Sequence, residues 1–168
     1  VYNDHEWVQQ LLGADIDGEA ANDFSGNSVS LSSDGTTVAI GAYRNGSNWT
    51  KTGHVRVYSF NGSTWEQLGS DIDGEAAEDY SGASVSLSSD GTTVAIGAYG
   101  NNGNGRDSGH VRVYSFNGSA WVQLGSDIDG EAAEDYSGGS VSLSSDGTTV
   151  AIGAYGNDGN GPVSGHVR

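Results

Sequence analysis

Asp71 to Gly100 reads DIDGEAAEDYSGASVSLSSDGTTVAIGAYG, and the chain writes this stretch three times. The copies open at Asp15, Asp71 and Asp127, so the period is 56 residues and three periods account for the 168-residue chain. A unit of this length cannot stand alone and gains a core only when neighbours stack on it, which makes the protein a repeat protein before anything else.

One copy shows what the unit is. Ser84 to Ser88 alternates, with Val85 and Leu87 on one face, and Asp90-Gly91 supplies a tight hairpin turn. Thr92 to Ala98 follows as a second strand, placing Val94, Ile96 and Ala98 on one face and Thr93, Ala95 and Gly97 on the other. Both faces read as buried, with small residues where a neighbouring sheet comes close. A ten-residue loop from Gly100 to Gly109 leads to a third alternating strand, His110 to Phe116. After the Asn117-Gly118 turn, Trp121 to Gly125 is the fourth, and the acidic connection Asp127 to Gly138 enters the next copy. No helix is required. The expected class is all-β, built of three four-stranded units.

Both ends of the chain fall inside a unit. Val1-Tyr2 matches Val57-Tyr58 and Val113-Tyr114, and Gly165 to Arg168 matches Gly53 to Arg56 and Gly109 to Arg112. The units therefore read 15–70, 71–126 and 127–168 continued by 1–14, with one strand divided between the termini. From Asp71 to Arg112 and from Asp127 to Arg168 the copies differ only at Ala83/Gly139, Asn102/Asp158, Arg106/Pro162 and Asp107/Val163. Three of those four changes lie in the ten-residue loop, as expected where side chains are freest to vary.

These motifs resemble the FG-GAP repeats of integrin alpha-chain propellers. Phe24-Ser25-Gly26, Tyr80-Ser81-Gly82 and Tyr136-Ser137-Gly138 stand where that family has Phe-Gly. Gly41-Ala42-Tyr43, Gly97-Ala98-Tyr99 and Gly153-Ala154-Tyr155 stand where it has Gly-Ala-Pro, with Tyr in place of Pro in every copy. The resemblance implies propeller blades set around a channel. Three blades are too few for a ring of the usual size, so either two chains close it or neighbouring repeats of a longer array do. The alternative is a closed three-unit fold, a β-trefoil or β-prism. The family's calcium loop between the first two strands does not carry over, because Asp34, Asp90 and Asp146 there read as turn residues.

Charge bounds the partners. Twenty-two acids against six bases leave a formal net charge of −16, which opposes nucleic acid and anionic membrane surfaces. Cysteine is absent, so disulfides and thiolate metal sites are excluded. No signal peptide, bilayer-spanning run or lipidation motif is found, and the chain reads as a soluble, mature or excised segment. Sequons begin at Asn45, Asn48, Asn61 and Asn117, which with the family resemblance points to a secreted or cell-surface glycoprotein.

The acids recur in register. In an antiparallel meander the ten-residue loop and the acidic connection emerge on one side, and that side collects Asp15, Asp17, Glu19 and Asp23 with Asp71, Asp73, Glu75, Glu78 and Asp79. The third copy adds Asp127, Asp129, Glu131, Glu134 and Asp135. Hard oxygen donors among flexible Gly and Asn suit calcium, and solvated charge that keeps strand edges apart is the competing reading. His54, His110 and His166 share one repeat position and are expected to be exposed, and Arg56, Arg112 and Arg168 to pair across strands with acids or rings. Trp7, Trp65 and Trp121 read as packing between blades, while Trp49 in the variable loop could stack on a sugar. The acids repeat identically and so lack the contrasting environments a catalytic pair needs, which argues against an enzyme. The expected function is an extracellular structural or adhesive module, calcium-stabilised. Its expected partners are copies of itself or neighbouring repeats, glycans or extracellular proteins. A lectin-like module with one site per repeat is the alternative.

Overall fold

A computed structural model describes residues 2–3, 6–7, 11–46 and 50–168. A short hairpin of β1 (Tyr2–Asn3) and β2 (Glu6–Trp7) comes first. The first full unit is β3 (Ser28–Leu31), β4 (Thr37–Ala42), β5 (His54–Phe60) and β6 (Trp65–Gln67), with β7 (Ile72–Asp73) also on β5. The second repeats it as β8 (Ser84–Leu87), β9 (Thr93–Ala98), β10 (His110–Phe116), β11 (Trp121–Gln123) and β12 (Ile128–Asp129). The third comprises β13 (Ser137–Leu143), β14 (Val150–Ala154) and β15 (His166–Val167). Each unit is an antiparallel meander with strands in sequence order. That is the blade the alternation predicted.

Strand four is longer and more bent than its apolar pattern suggests. β6 and β7 pair with the same strand, β5, at Tyr58↔Gln67 and Val55↔Ile72. Four residues, 68–71, oppose two, 56–57, so the edge strand bulges, and Gly69 at φ +72° takes the left-handed turn. The opening of the acidic connection is therefore hydrogen-bonded into the preceding sheet, at His54↔Asp73 and again at His110↔Asp129.

Blades pack face to face. Val85, Leu87, Val94, Ile96 and Tyr114 of the second sheet meet Ala39, Val55 and Val57 of the first. Its other face gives Ala95 and Val111 to Ile152, with Val141, Leu143 and Val150 against them. The small residues of strand two have a geometric cause, since a Cβ on Gly41 would overlap the Gly82 carbonyl and one on Gly97 the Gly138 carbonyl. The hydroxyls of Ser28 and Ser84 donate to those same carbonyls at 2.7 and 2.8 Å. Deeper along the strands, the amides of Leu87 and Leu143 donate to Ser30 Oγ and Ser86 Oγ at 2.9 Å. Trp121 donates its indole N–H to the Leu68 carbonyl at 2.8 Å, which bears out interblade packing for that tryptophan.

The stack is open. Val29 and Leu31 are exposed, and with Leu11, Leu12, Val38 and Ile40 they line an apolar groove of about 370 Å³ on the outer face of the first blade. A closed β-trefoil or β-prism is thereby set aside, because antiparallel sheets stacked through glycine contacts leave a first face with no sheet against it among the described residues.

A six-ring ladder runs across the blades. Phe24 meets Tyr43 at a centroid distance of 5.7 Å, Tyr43 meets Tyr80 at 6.1 Å, and Tyr80 stacks on Tyr99 at 5.1 Å. Tyr99 then meets Tyr136 at 6.4 Å, and Tyr136 stacks on Tyr155 at 5.1 Å. Tyrosine in place of the motif proline thus couples one repeat to the next, because the ring at that position packs on the ring that opens the Phe-Gly-like motif.

Candidate metal centre at the blade junctions

The ten-residue loop and the acidic connection do lie on one side, and they are bonded together. The amides of Glu134, Tyr136 and Ser137 donate to the carbonyls of Arg106, Asp107 and Ser108, and those of Glu78, Tyr80 and Ser81 do the same to Thr50, Lys51 and Thr52. Backbone pairing fixes the loop while its side chains vary.

The acids of that side separate into distinct roles. Asp23, Asp79 and Asp135 are buried turn residues: Asp79 Oδ2 accepts from the Ala76 amide at 3.1 Å and from Asn101 Nδ2 at 3.0 Å, and the other copies repeat this. Asp17, Asp73 and Asp129 offer backbone carbonyls to the guanidinium groups of Arg56, Arg112 and Arg168 at 2.7, 3.0 and 2.6 Å. Their carboxylates stay in solvent. Asp15 lies exposed beside Ile16 and Trp65, among the residues lining the outer groove.

Glu19, Asp71, Glu75 and Asp127 are the acids brought together, and histidine is what gathers them. His54 Nδ1 lies 3.7 Å from Glu19 Oε2 and 3.6 Å from Asp71 Oδ2. His110 Nδ1 lies 3.5 Å from Asp127 Oδ2, and donor atoms of Glu75, His110 and Asp127 all fall within 4.8 Å of one another. At the third position His166 Nδ1 stands 3.8 Å from Glu131 Oε2. Acid and histidine groups able to hold a metal ion are thus present at two junctions among the described residues.

The expectation of exposed histidines is corrected here. His54 and His110 are each 1 % exposed, and His166 is only partly exposed. The bulge of strand four folds the acids over the start of strand three, and the Phe-Gly-like segment of the following copy crosses above, with Gly53 bridging to Ser81 and Gly109 to Ser137. Burial, and then the Arg112 guanidinium, hold the His110 ring below its ordinary pKa against the pull of Asp127 and Glu75. The recurring Gly-His pair was the available signal. Only the fold shows that an acid from one connection and an acid from the next converge on it.

The arginines pair with acids and rings as expected, but the rings lie on the same strands as the arginines and not across from them. Arg56 and Arg112 lie over the rings of Tyr58 and Tyr114 at 5.6 and 5.7 Å, and Arg112 Nη1 is 3.4 Å from Glu75 Oε1. The reading of Asp34, Asp90 and Asp146 as turn residues also holds. Asp146 Oδ1 accepts from Ser144 Oγ, the Thr148 amide and Thr148 Oγ1, which lowers its carboxyl to about 2. Asp34 and Asp90 make the same three contacts. A carboxylate oxygen so committed does not suit the family's calcium loop.

Among the sequons, Asn61 and Asn117 are exposed in hairpin turns, whereas Asn45 donates its amide to the buried Asp23 at 3.0 Å. Asn48 and Trp49 lie outside the described residues. No helix of the described residues is long and apolar enough to cross a membrane.

The FG-GAP repeat family profile matches residues 7–58, 71–114 and 127–167, one match in each copy. No curated protein matches the chain.

Proposed function

We propose that this chain, which belongs to the FG-GAP repeat family, acts outside the cell as a structural or adhesive module that binds by presenting one loop-and-acid face once per blade. The observation that carries this reading is the bonding of the first and second ten-residue loops to the acidic connection of the following copy, which holds the copies of that face in one orientation. Several weak contacts made in register then add through effective concentration. Calcium on the solvent-facing carboxylates, Asp73 and Asp129 among them, would supply the cross-linking charge for a surface that otherwise repels its own kind. The open first face is to be covered by a blade of the same type, from a second copy or from neighbouring repeats, so that units 15–70, 71–126 and 127–168 continued by 1–14 belong to a larger ring.

The lectin-like alternative draws less support. The interior rings of the tyrosine ladder pack on one another, which leaves little open face for a sugar to stack on. Bead aggregation tests the proposal. Beads coated with the chain should clump when calcium is added, disperse with chelator, and fail to clump for the Asp73→Asn/Asp129→Asn variant. Calcium-independent capture of a glycan, with no clumping, would overturn it.

A further inference from the structure

We propose that the two complete blade junctions are transition-metal sites, each binding one divalent ion of the zinc class through one imidazole and two carboxylates: His110 with Glu75 and Asp127, and His54 with Glu19 and Asp71. This inference is independent of the adhesive reading, because it concerns acids that point into the junction.

Three observations carry it. First, neither ring nitrogen of the buried His110 has a hydrogen-bond partner, although Nδ1 faces Asp127 Oδ2 at 3.5 Å and Glu75 belongs to the same group of donor atoms. A buried imidazole without a partner is an exception that calls for an explanation, and an ion in that gap satisfies Nδ1. Second, the spacing fits. A four-coordinate zinc with bonds of about 2.0–2.1 Å sets neighbouring donors about 3.4 Å apart; the nitrogen-to-oxygen separations are 3.6 and 3.7 Å at His54 and 3.5 Å from His110 to Asp127, with the Glu75 donor within 4.8 Å of both.

Third, the far oxygens are held. Asp71 turns Oδ2 to His54 while Oδ1 accepts from Gln67 Nε2 at 2.7 Å, and Asp127 turns Oδ2 to His110 while Oδ1 accepts from Gln123 Nε2 at 2.7 Å. Glu19 likewise faces His54 with Oε2 and Arg56 with Oε1. Partners of this kind orient ligands at metal sites.

The donor set selects the ion. Imidazole suits zinc, copper, nickel and iron, whereas calcium takes six to eight oxygen ligands, and only two carboxylates converge here. Both acids of each pair are partly exposed, which leaves room for water in the fourth position and a path for entry. The bound ion would tie the tail of one sheet, through Glu75, to the third strand of the next, through His110.

The test is native mass spectrometry and calorimetric titration of the chelator-treated chain with Zn²⁺ alone, then with excess Ca²⁺ present. Two Zn²⁺ per chain should bind and Ca²⁺ should not displace them. Asp127→Asn, which keeps the side chain's shape at a half-exposed position, should remove one of the two ions and leave the circular dichroism unchanged. Gln123→Ala should weaken that same ion on the order of 10–100-fold. The ¹⁵N resonance of His110 Nδ1 should move on Zn²⁺ addition to the parent chain and stay put in Asp127→Asn. Failure of the parent chain to retain Zn²⁺ would overturn the proposal. So would Zn²⁺ binding that Asp127→Asn and Glu75→Gln leave unchanged, since the ions would then sit on other acids of the surface.

Discussion

Leu31 and Leu87 occupy the same place in the repeat, yet one is 59 % exposed and the other 6 %. Strand one of the second blade has the first blade packed against it, whereas strand one of the first blade faces the open groove. Truncating each leucine to alanine therefore removes the same atoms from different surroundings. Full burial of a leucine side chain contributes about 1.5–3 kcal/mol, and the two positions differ by about half that surface, which gives roughly 1 kcal/mol from transfer alone. At Leu87 a cavity between two sheets adds to this, so Leu87→Ala should cost about 2–4 kcal/mol. Leu31→Ala should cost less than about 1 kcal/mol, having little burial to lose. Urea unfolding followed by tryptophan fluorescence reads both, with native mass spectrometry alongside to fix the oligomeric state. A Leu87→Ala cost below about 1 kcal/mol would refute face-to-face stacking of the blades. Equal costs for the two variants in a monomer would refute the open first face.

Two further outcomes follow from the same geometry. Gly97→Ala places a Cβ against the Gly138 carbonyl, which cannot swing away without parting the blades, and against Ser84 Oγ, which would have to give up its bond to that carbonyl; a loss of about 3 kcal/mol in a thermal melt is expected, and an unchanged melting temperature would show that the sheets are farther apart. Asp146 has a folded-state carboxyl lowered from 3.8 to about 2 by its Ser144 and Thr148 partners, so its stabilisation is present above pH 3.8 and is lost as pH falls toward 2; the stability gap between the parent chain and Asp146→Asn should narrow across that window, and a gap that widens there would be incompatible with those hydrogen bonds.

How much of the site was legible depends on the range of the interaction that builds it. The turn aspartates could be read because Ser144, Asp146 and Thr148 are near neighbours in sequence and satisfy one another locally. The acids could be counted but not sorted. Asp79 and Glu75 stand in one short acidic run, yet Asp79 is buried under its own turn while Glu75 reaches His110 and Arg112 on another strand. Nothing in the run itself distinguishes them. The histidines were misplaced for the same reason: an alternating strand fixes which residues share a face, but the cover over His54 comes from a bulge at Gly69 and from the next copy's Tyr80-Ser81-Gly82 segment.

The sequence by itself determined the period, the all-β class, and the strands and their hairpin turns, because alternation and turn chemistry act over a few residues. The tertiary structure alone decided that blades stack openly rather than close as a trefoil, that tyrosines at the motif proline form a ladder, and that Glu75, His110 and Asp127 converge. Each of those depends on where one sheet lies against the next, and repeats this alike carry the same local instructions in every copy. What differs between Leu31 and Leu87, or between an acid in water and an acid on a buried imidazole, is the neighbour.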